Sequence, residues 1–142
     1  MADAVFVDTW GWVELGHRRA PRHDEVRRFY RRLVQQQAPI HTSDYVLDET
    51  LTLLFRREVF EEAVRFMEAI LSAAEQGRLI IERITSDRFA NAWILRQRFQ
   101  DKPAISFTDL TSMVVMQELG INDVLTEDEH FDQVGMGFRR VP

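Results

Sequence analysis

The fold is decided by the stretch Ala4-Val5-Phe6-Val7-Asp8-Thr9, near the start of the chain. Its apolar and β-branched residues predict a short buried strand that ends at Asp8. A helical pattern follows over about residues 10–16. A strand followed directly by a helix is the repeating unit of parallel sheets, so the opening of the chain predicts an α/β protein.

The same alternation continues through the sequence. Further strands are predicted near residues 40–42, 79–84, 123–126 and 138–141. Apolar residues recur with helical spacing between them, most clearly from Val26 to Val34 and over about residues 58–76, where Gly77 is placed to end the helix. Helices that join parallel strands cover both faces of the sheet. We therefore predict one α/β domain over residues 1–142, a three-layer α/β/α arrangement around a parallel sheet of about five short strands.

Composition narrows the classes of function. The chain is 45% hydrophobic and 29% charged, which excludes disordered and low-complexity proteins. The absence of cysteine excludes disulfide scaffolds, thiolate metal sites and cysteine nucleophiles. No signal-peptide pattern and no long apolar run is present, so we expect a cytoplasmic protein without a membrane span. A formal net charge of -5 argues against nucleic-acid binding by bulk positive potential.

Four acidic residues lie at or near the predicted carboxyl ends of strands, where open α/β sheets bind their ligands. They are Asp8, Glu49, Asp109 and Asp128. Each has a simpler explanation, because Asp8 and Asp109 could cap helices and the other two could be surface charges. Carboxylates gathered at one sheet edge would nevertheless repel one another unless a cation neutralised them. The set therefore predicts Mg²⁺ or Mn²⁺ bound by oxygen atoms, and phosphodiester hydrolysis as the reaction.

Four segments in register resemble the PIN domain, in particular the VapC-type toxins of bacterial and archaeal toxin-antitoxin pairs. The segments are Val5-Phe6-Val7-Asp8-Thr9, Tyr45-Val46-Leu47-Asp48-Glu49-Thr50, Ser106-Phe107-Thr108-Asp109 and Leu125-Thr126-Glu127-Asp128-Glu129-His130-Phe131. The resemblance implies a Mg²⁺-dependent endoribonuclease that cleaves RNA. It also implies a homodimer that a cognate antitoxin holds inactive.

The resemblance also assigns roles to residues. The four acids of the family correspond here to Asp8, Glu49, Asp109 and Asp128. Asp8 and Asp109 resemble the two principal metal ligands. Thr9 resembles the hydroxyl residue that orients the first acid, and Thr126 resembles a similar polar position near the fourth. Trp10 departs from the small polar residue often found at its position, which would alter the mouth of the site.

A stripe of positive charge is predicted on the second helix. Its members are Arg27, Arg28, Arg31 and Arg32, which lie opposite the apolar face on a helical wheel. Three interpretations stay open for this stripe. It can be a solvated face, a surface that holds RNA phosphates, or a surface that binds an acidic segment of an antitoxin.

The four histidines show no paired metal-ligand spacing. His130 is the one nearest to the predicted site, and we expect it to be a helix-surface or packing residue rather than a general acid.

Three other classes of function compete with the nuclease. One type of aspartyl phosphatase has a second Asp two residues after the first, and that position is Trp10 here. A phospho-receiver domain would need a lysine at a strand end, and the only lysine is Lys102, beside Pro103. The stronger alternative is a catalytically silent PIN-like protein that binds RNA or a protein partner. Turnover in the presence of metal separates that alternative from the nuclease.

Overall fold

A computed structural model describes residues 2–142 of the chain, and its five strands form a single sheet. The strands are β1 (Val5–Val7), β2 (Ile40–Ser43), β3 (Ile80–Glu82), β4 (Asp123–Leu125) and β5 (Arg139–Val141). Their order across the sheet is β3-β2-β1-β4-β5, and every neighbouring pair is parallel. The predicted parallel sheet of about five short strands is therefore confirmed.

Seven helices connect the strands within the described residues. They are α1 (Thr9–Gly16), α2 (His23–Gln35), α3 (Asp44–Arg57), α4 (Phe60–Glu75), α5 (Ser86–Arg98), α6 (Phe107–Leu119) and α7 (His130–Gln133). Helices α1, α2 and α4 match the helical segments predicted at residues 10–16, 26–34 and 58–76. The helices and the sheet form the predicted three-layer α/β/α arrangement. The last helix has four residues, which is too short for a periodic pattern to reveal.

Local sequence signals account for five of the helix ends. The hydroxyl oxygens of Ser43, Thr85 and Ser106 each accept a backbone N–H in the first turn of α3, α5 and α6. Gly77 and Gly120 follow α4 and α6 with φ of 77° and 69°, a left-handed conformation that glycine adopts without strain. The helix end predicted at Gly77 is confirmed.

The first helix is held tightly against the end of the first strand. The indole Nε1 of Trp12 donates to Thr42 Oγ1 over 3.0 Å, and Thr42 Oγ1 donates to the carbonyl of Val7 over 2.9 Å, with all three residues buried. A Cβ added to Gly11 would lie 2.8 Å from the carbonyl oxygen of Leu125, so α1 approaches β4 at a distance that only glycine permits. These contacts fix the backbone on both sides of Asp8.

One detail of the predicted helix packing is wrong. The helical pattern predicts Val34 on the buried face of α2, but Val34 is 44% exposed. It lies in the last turn of α2, which ends at Gln35, and the next apolar residue, Ala38, is buried instead. No helix within residues 2–142 combines the length and the apolar character that crossing a bilayer requires.

Candidate active site

The sheet brings the ends of its two central strands side by side. Val7 of β1 pairs with Leu125 of β4, so Asp8 and Thr126 are the next residues on neighbouring strands. Thr126 Oγ1 donates to Asp8 Oδ2 over 2.9 Å in a buried hydrogen bond. The same hydroxyl oxygen accepts the backbone N–H of Asp128 over 3.1 Å. One threonine thereby links the first predicted acid to the fourth.

Asp8 does not act as a helix cap. It occupies the N-cap position of α1, but its side chain makes no capping hydrogen bond. Its carboxylate is 4% exposed, and its Oδ1 atom has no hydrogen-bond partner within residues 2–142. Because buried polar atoms are nearly always paired, this atom points to a ligand as its partner.

Asp109 lies in the first turn of α6, at the same edge of the sheet. Ser106 Oγ accepts the backbone N–H of Asp109 over 3.0 Å, so the serine caps the helix and the carboxylate is free for another role. The residue is 7% exposed. The capping interpretation thus explains the backbone of Asp109 but not the placement of its acidic group.

All four predicted acids line one open cleft of about 560 Å³. The acidic residues around it are Asp8, Glu14, Glu49, Asp109, Glu127 and Asp128. The basic residues of this lining are Arg57 and His130. The cleft therefore gathers more negative than positive charge, as the predicted cluster at one sheet edge requires.

Burial and mutual repulsion perturb the two most deeply buried acids. Burial raises the pKa of Asp8 to about 6, although the hydrogen bond from Thr126 counteracts the shift. Burial also raises the pKa of Asp109 to about 8, and the negative charges of Asp8 and Asp128 raise it further. Both raised pKa values show that the ionised carboxylates are disfavoured in the protein alone. A cation placed among these groups would favour their ionised forms.

Glu49 and Thr9 also line the cleft. Glu49 is partly exposed on α3 and lines the cleft, and its charge contributes to the raised pKa of both buried aspartates. Its position away from the apolar face of the helix suits a residue that faces the cleft. The hydroxyl of Thr9 is buried without a hydrogen-bond partner in the described part of the chain, so no bond from it to Asp8 supports the orienting role expected of it.

Glu14 and His130 line the cleft, although the sequence analysis did not select either of them as a site residue. Glu14 is 8% exposed, and its Oε2 accepts the backbone N–H of Arg22 over 3.0 Å, which ties α1 to the start of α2. His130 was expected to be a surface or packing residue, yet its Nδ1 lies 3.1 Å from Asp128 Oδ1 and 3.4 Å from Asp109 Oδ2. The available signal for His130 was its place two residues after Asp128 and directly before the buried Phe131.

The arginine stripe faces two different grooves. Arg27, Arg28, Arg31 and Arg32 are all exposed. Arg27 borders a groove of about 790 Å³ between α1, α2 and α4, whereas the other three border a groove of about 450 Å³ beside Pro142. The single continuous stripe expected from the helical wheel is therefore divided.

The donor atoms of the cleft suit a divalent cation. Asp109, Asp128 and His130 each offer one ligand atom, and these atoms lie within 4.8 Å of one another. Asp8 lines the same cleft and has an unpartnered, buried Oδ1 atom, but neither Asp8 nor Glu49 belongs to this group of close ligand atoms. Carboxylate oxygens are the preferred ligands of Mg²⁺ and Mn²⁺, so the residues present fit such an ion.

Comparisons with known proteins show the family and the fold of the chain. A model of the PIN domain matches residues 5–136. The 23S rRNA-specific endonuclease VapC20 of Mycobacterium tuberculosis is 34% identical over 131 residues, which cover 92% of this chain and 94% of that protein. The crystal structure of VapC20, described as a sarcin-ricin loop cleaving toxin, superposes with a TM-score of 0.77 at 33% identity and covers 92% of this chain and 95% of its own.

A more distant structure shares the fold. VapBC2 from Rickettsia felis, solved bound to a DNA fragment from its promoter, superposes with a TM-score of 0.73 at 16% identity and covers 97% of both chains.

Proposed function

The chain belongs to the PIN domain family, and from that premise we propose that it is an endoribonuclease that depends on a divalent ion, Mg²⁺ or Mn²⁺, and the toxin of a type II toxin-antitoxin pair. We place its action in the cytoplasm and its machinery in one domain that spans the sequence. The observation that carries the proposal is the unpartnered, buried Oδ1 of Asp8 in a cleft that it shares with Asp109, Glu49 and Asp128.

The substrate class follows from similarity over nearly the whole chain. VapC20 is named for cleavage of 23S rRNA and of its sarcin-ricin loop, and the two sequences are 34% identical over 92% of this chain. We propose that this protein likewise cuts a structured loop of ribosomal RNA. The sarcin-ricin loop is the first substrate to test.

We propose roles for the site residues from their places around the cleft and from the family resemblance. Asp8 and Asp109 would hold the ion, and Glu49 and Asp128 would complete the site. A bound divalent ion would supply an activated water and neutralise the charge that develops on the phosphate. Thr126 holds Asp8 through the bond to its Oδ2, and the same hydroxyl fixes the backbone before Asp128. Attack by that water would form a new P–O bond and break the bond from phosphorus to the 3′ oxygen, which would take up a proton and leave as a 3′-hydroxyl beside a 5′-phosphate.

A positive surface for the RNA backbone is offered by Arg28, Arg31 and Arg32. Their groove includes Pro142, which follows the end of β5. Val141 of β5 pairs with Leu125 of β4, and Glu127 of the cleft lies two residues after Leu125. The groove therefore lies at the same edge of the sheet as the cleft. None of the three forms an ion pair within residues 2–142, so their guanidinium groups are free to contact phosphates. We assign them to RNA binding.

The antitoxin would bind the larger groove. Aromatic and aliphatic side chains line it, including Trp12, Tyr30, Phe66 and Ile70. Four arginines also line it, namely Arg18, Arg27, Arg65 and Arg78. An amphipathic segment with acidic flanks matches both features, because its apolar side would cover the rings and its carboxylates would pair with the arginines.

A homodimer would bury the exposed apolar side chains of α5. Phe89, Trp93 and Ile94 are 47%, 55% and 56% exposed, and they recur at helical spacing. Replacement of Trp93 by Glu should convert a dimer to a monomer in light-scattering measurements. An unchanged mass would place the dimer contact elsewhere or show that the protein is monomeric.

The test of the proposed nuclease is cleavage of a sarcin-ricin loop RNA hairpin by the purified protein. Cutting is expected with Mg²⁺, and it should stop with EDTA and in both Asp8→Asn and Asp109→Asn. A hairpin with the same stem and a scrambled loop should be cut slowly or not at all. Absence of cutting in every sample, with metal binding retained, would favour the silent PIN-like binding protein.

A further inference from the structure

The ring of His130 faces two of the four acids with a single nitrogen atom. Its Nδ1 lies 3.1 Å from Asp128 Oδ1 and 3.4 Å from Asp109 Oδ2. We propose that His130 is a nitrogen ligand of the metal centre, so that this centre selects Mn²⁺ over Mg²⁺. The inference deepens the proposed function and rests on it, because it adds a ligand to the same site.

The spacing of the donor atoms suits one shared ion. Two adjacent ligands of an octahedral ion, each about 2.1 Å from it, lie about 3.0 Å apart. The distance from His130 Nδ1 to Asp128 Oδ1 matches that separation, and the contact with Asp109 is slightly longer. One ligand atom from each of the three residues lies within 4.8 Å of the other two.

A second, independent observation supports a cation site in this cleft. Asp8 Oδ1 is buried and has no hydrogen-bond partner within residues 2–142, whereas its other oxygen accepts the hydroxyl of Thr126. A carboxylate oxygen left in this state is costly unless a cation binds it. Asp8 and His130 line the same cleft.

The position of His130 is fixed before any ion binds. Its backbone N–H donates to Asp128 Oδ1 over 2.9 Å, which holds the two residues in one turn. The next residue, Phe131, is fully buried and packs edge-on against Phe138 with ring centroids 6.1 Å apart. These contacts hold the backbone of His130 beside Asp128, so fewer conformations have to be lost when its ring nitrogen binds an ion in the cleft.

A nitrogen ligand has a consequence for metal selectivity. Mg²⁺ takes oxygen ligands almost exclusively, whereas imidazole is a good ligand for first-row transition ions. A centre made only of carboxylates would discriminate weakly between Mg²⁺ and Mn²⁺. The addition of His130 should shift the balance towards Mn²⁺ by about tenfold or more, as expected for loss or gain of one metal-site contact.

The test is pulsed electron paramagnetic resonance of the full-length protein loaded with Mn²⁺ alone, together with competition by Mg²⁺. Nitrogen-14 modulation from a directly bound imidazole is expected in the unsubstituted protein. It should disappear in His130→Asn, in which an amide oxygen replaces the nitrogen, and the ratio of Mg²⁺ to Mn²⁺ dissociation constants should fall about tenfold or more. His17→Asn is the matched control, because His17 contacts the carboxylate of Glu58 outside the cleft.

Neither measurement requires RNA, so the outcome is separate from that of the cleavage assay. Nitrogen modulation without RNA cleavage would leave the ligand assignment standing and overturn the nuclease proposal. A bound Mn²⁺ without nitrogen modulation, an unchanged selectivity in His130→Asn, or a failure to bind Mn²⁺ would each overturn the assignment. If His130→Asn does not fold, the spectrum of the unsubstituted protein still decides.

Discussion

The hydroxyl of Thr126 donates a buried hydrogen bond to Asp8 over 2.9 Å, joining residues that are 118 positions apart in the sequence. The bond spans the ends of β1 and β4, and the same oxygen accepts the backbone N–H of Asp128. Thr126 is therefore a positioning residue, because it touches two of the proposed site acids and contributes no carboxylate of its own.

Replacement of Thr126 by Val keeps the shape of the side chain and removes both hydrogen bonds. We expect cleavage and Mn²⁺ affinity to fall by roughly 10–100-fold, the usual cost of losing a partner of a metal ligand. Thr126→Ser should restore most of both, because it returns the hydroxyl. Equal activity in the Val and Ser variants would show that the hydroxyl has no positioning role.

Removal of one buried negative charge should stabilise the metal-free protein. Asp8→Asn and Asp109→Asn are each expected to raise the free energy of unfolding by about 1–3 kcal/mol near neutral pH, on the scale of one to two pKa units. Chemical denaturation in EDTA measures this change. Asp87→Asn, an exposed acid in the first turn of α5, is the matched control and should change stability by less than about 0.5 kcal/mol. Destabilisation by both cleft variants would contradict the account of repulsion.

The stability of the metal-free protein should depend on pH. The pKa values of Asp8 and Asp109 are raised above the ordinary value of 3.8, so the folded state binds more protons than the unfolded chain between about pH 4 and pH 8. The free energy of unfolding should therefore fall as the pH rises through this window. Denaturation curves at several pH values, with and without Mg²⁺, test this expectation. Mg²⁺ should flatten the slope, and a stability that rises with pH in EDTA would have the wrong sign.

Gly11 sets the distance between α1 and the sheet. Gly11→Ala would place a Cβ 2.8 Å from the Leu125 carbonyl oxygen, and we expect a loss of about 1–3 kcal/mol in unfolding free energy. Gly16→Ala is a matched comparison, because the Cβ there would meet the flexible side chains of Leu54 and Phe66 at 2.9 Å. Thermal denaturation should show the larger loss for Gly11→Ala. A smaller loss than for Gly16→Ala would mean that α1 can move away from the strand.

The two arginine groups should separate in function. Simultaneous replacement of Arg28, Arg31 and Arg32 by Ala should raise KM for RNA and reduce its dependence on salt concentration, because fewer phosphates are contacted. The rate constant kcat should change little. Replacement of Arg18, Arg27 and Arg65 by Ala removes the same charge from the other groove and should leave KM for RNA nearly unchanged. Equal effects of the two triple variants would mean that the positive charge acts only through the overall field.

Much of the fold was predictable because its signals are local. Hydrophobic periodicity, Ser and Thr caps and left-handed glycines mark the elements within a few residues of each boundary. The strand-helix alternation then restricts the sheet to a parallel arrangement. Helix α7 could not be predicted because four residues are too few to show a helical period of apolar residues. The burial of Val34 was predicted wrongly because α2 ends at Gln35, one residue after Val34.

The site was predictable only in part, and for a physical reason. The acids follow strand ends, and the topology of a parallel sheet gathers such positions at one edge. The contact between His130 and Asp109 joins residues 21 positions apart, and it depends on the turn at Asp128 and on the burial of Phe131. Glu14 lies inside a helix, where its sequence neighbours give no sign that it is buried.

The most direct test of the central claim is the chemistry of the product ends from the sarcin-ricin loop hairpin, with Mg²⁺ and with EDTA. Attack by water predicts fragments with a 5′-phosphate and a 3′-hydroxyl. The unsubstituted protein and Asp87→Asn should form these fragments only when the divalent ion is present. Asp109→Asn should not form them. Fragments that end in a 2′,3′-cyclic phosphate, or cleavage that persists in EDTA or in Asp109→Asn, would contradict the metal-dependent hydrolysis assigned to this cleft.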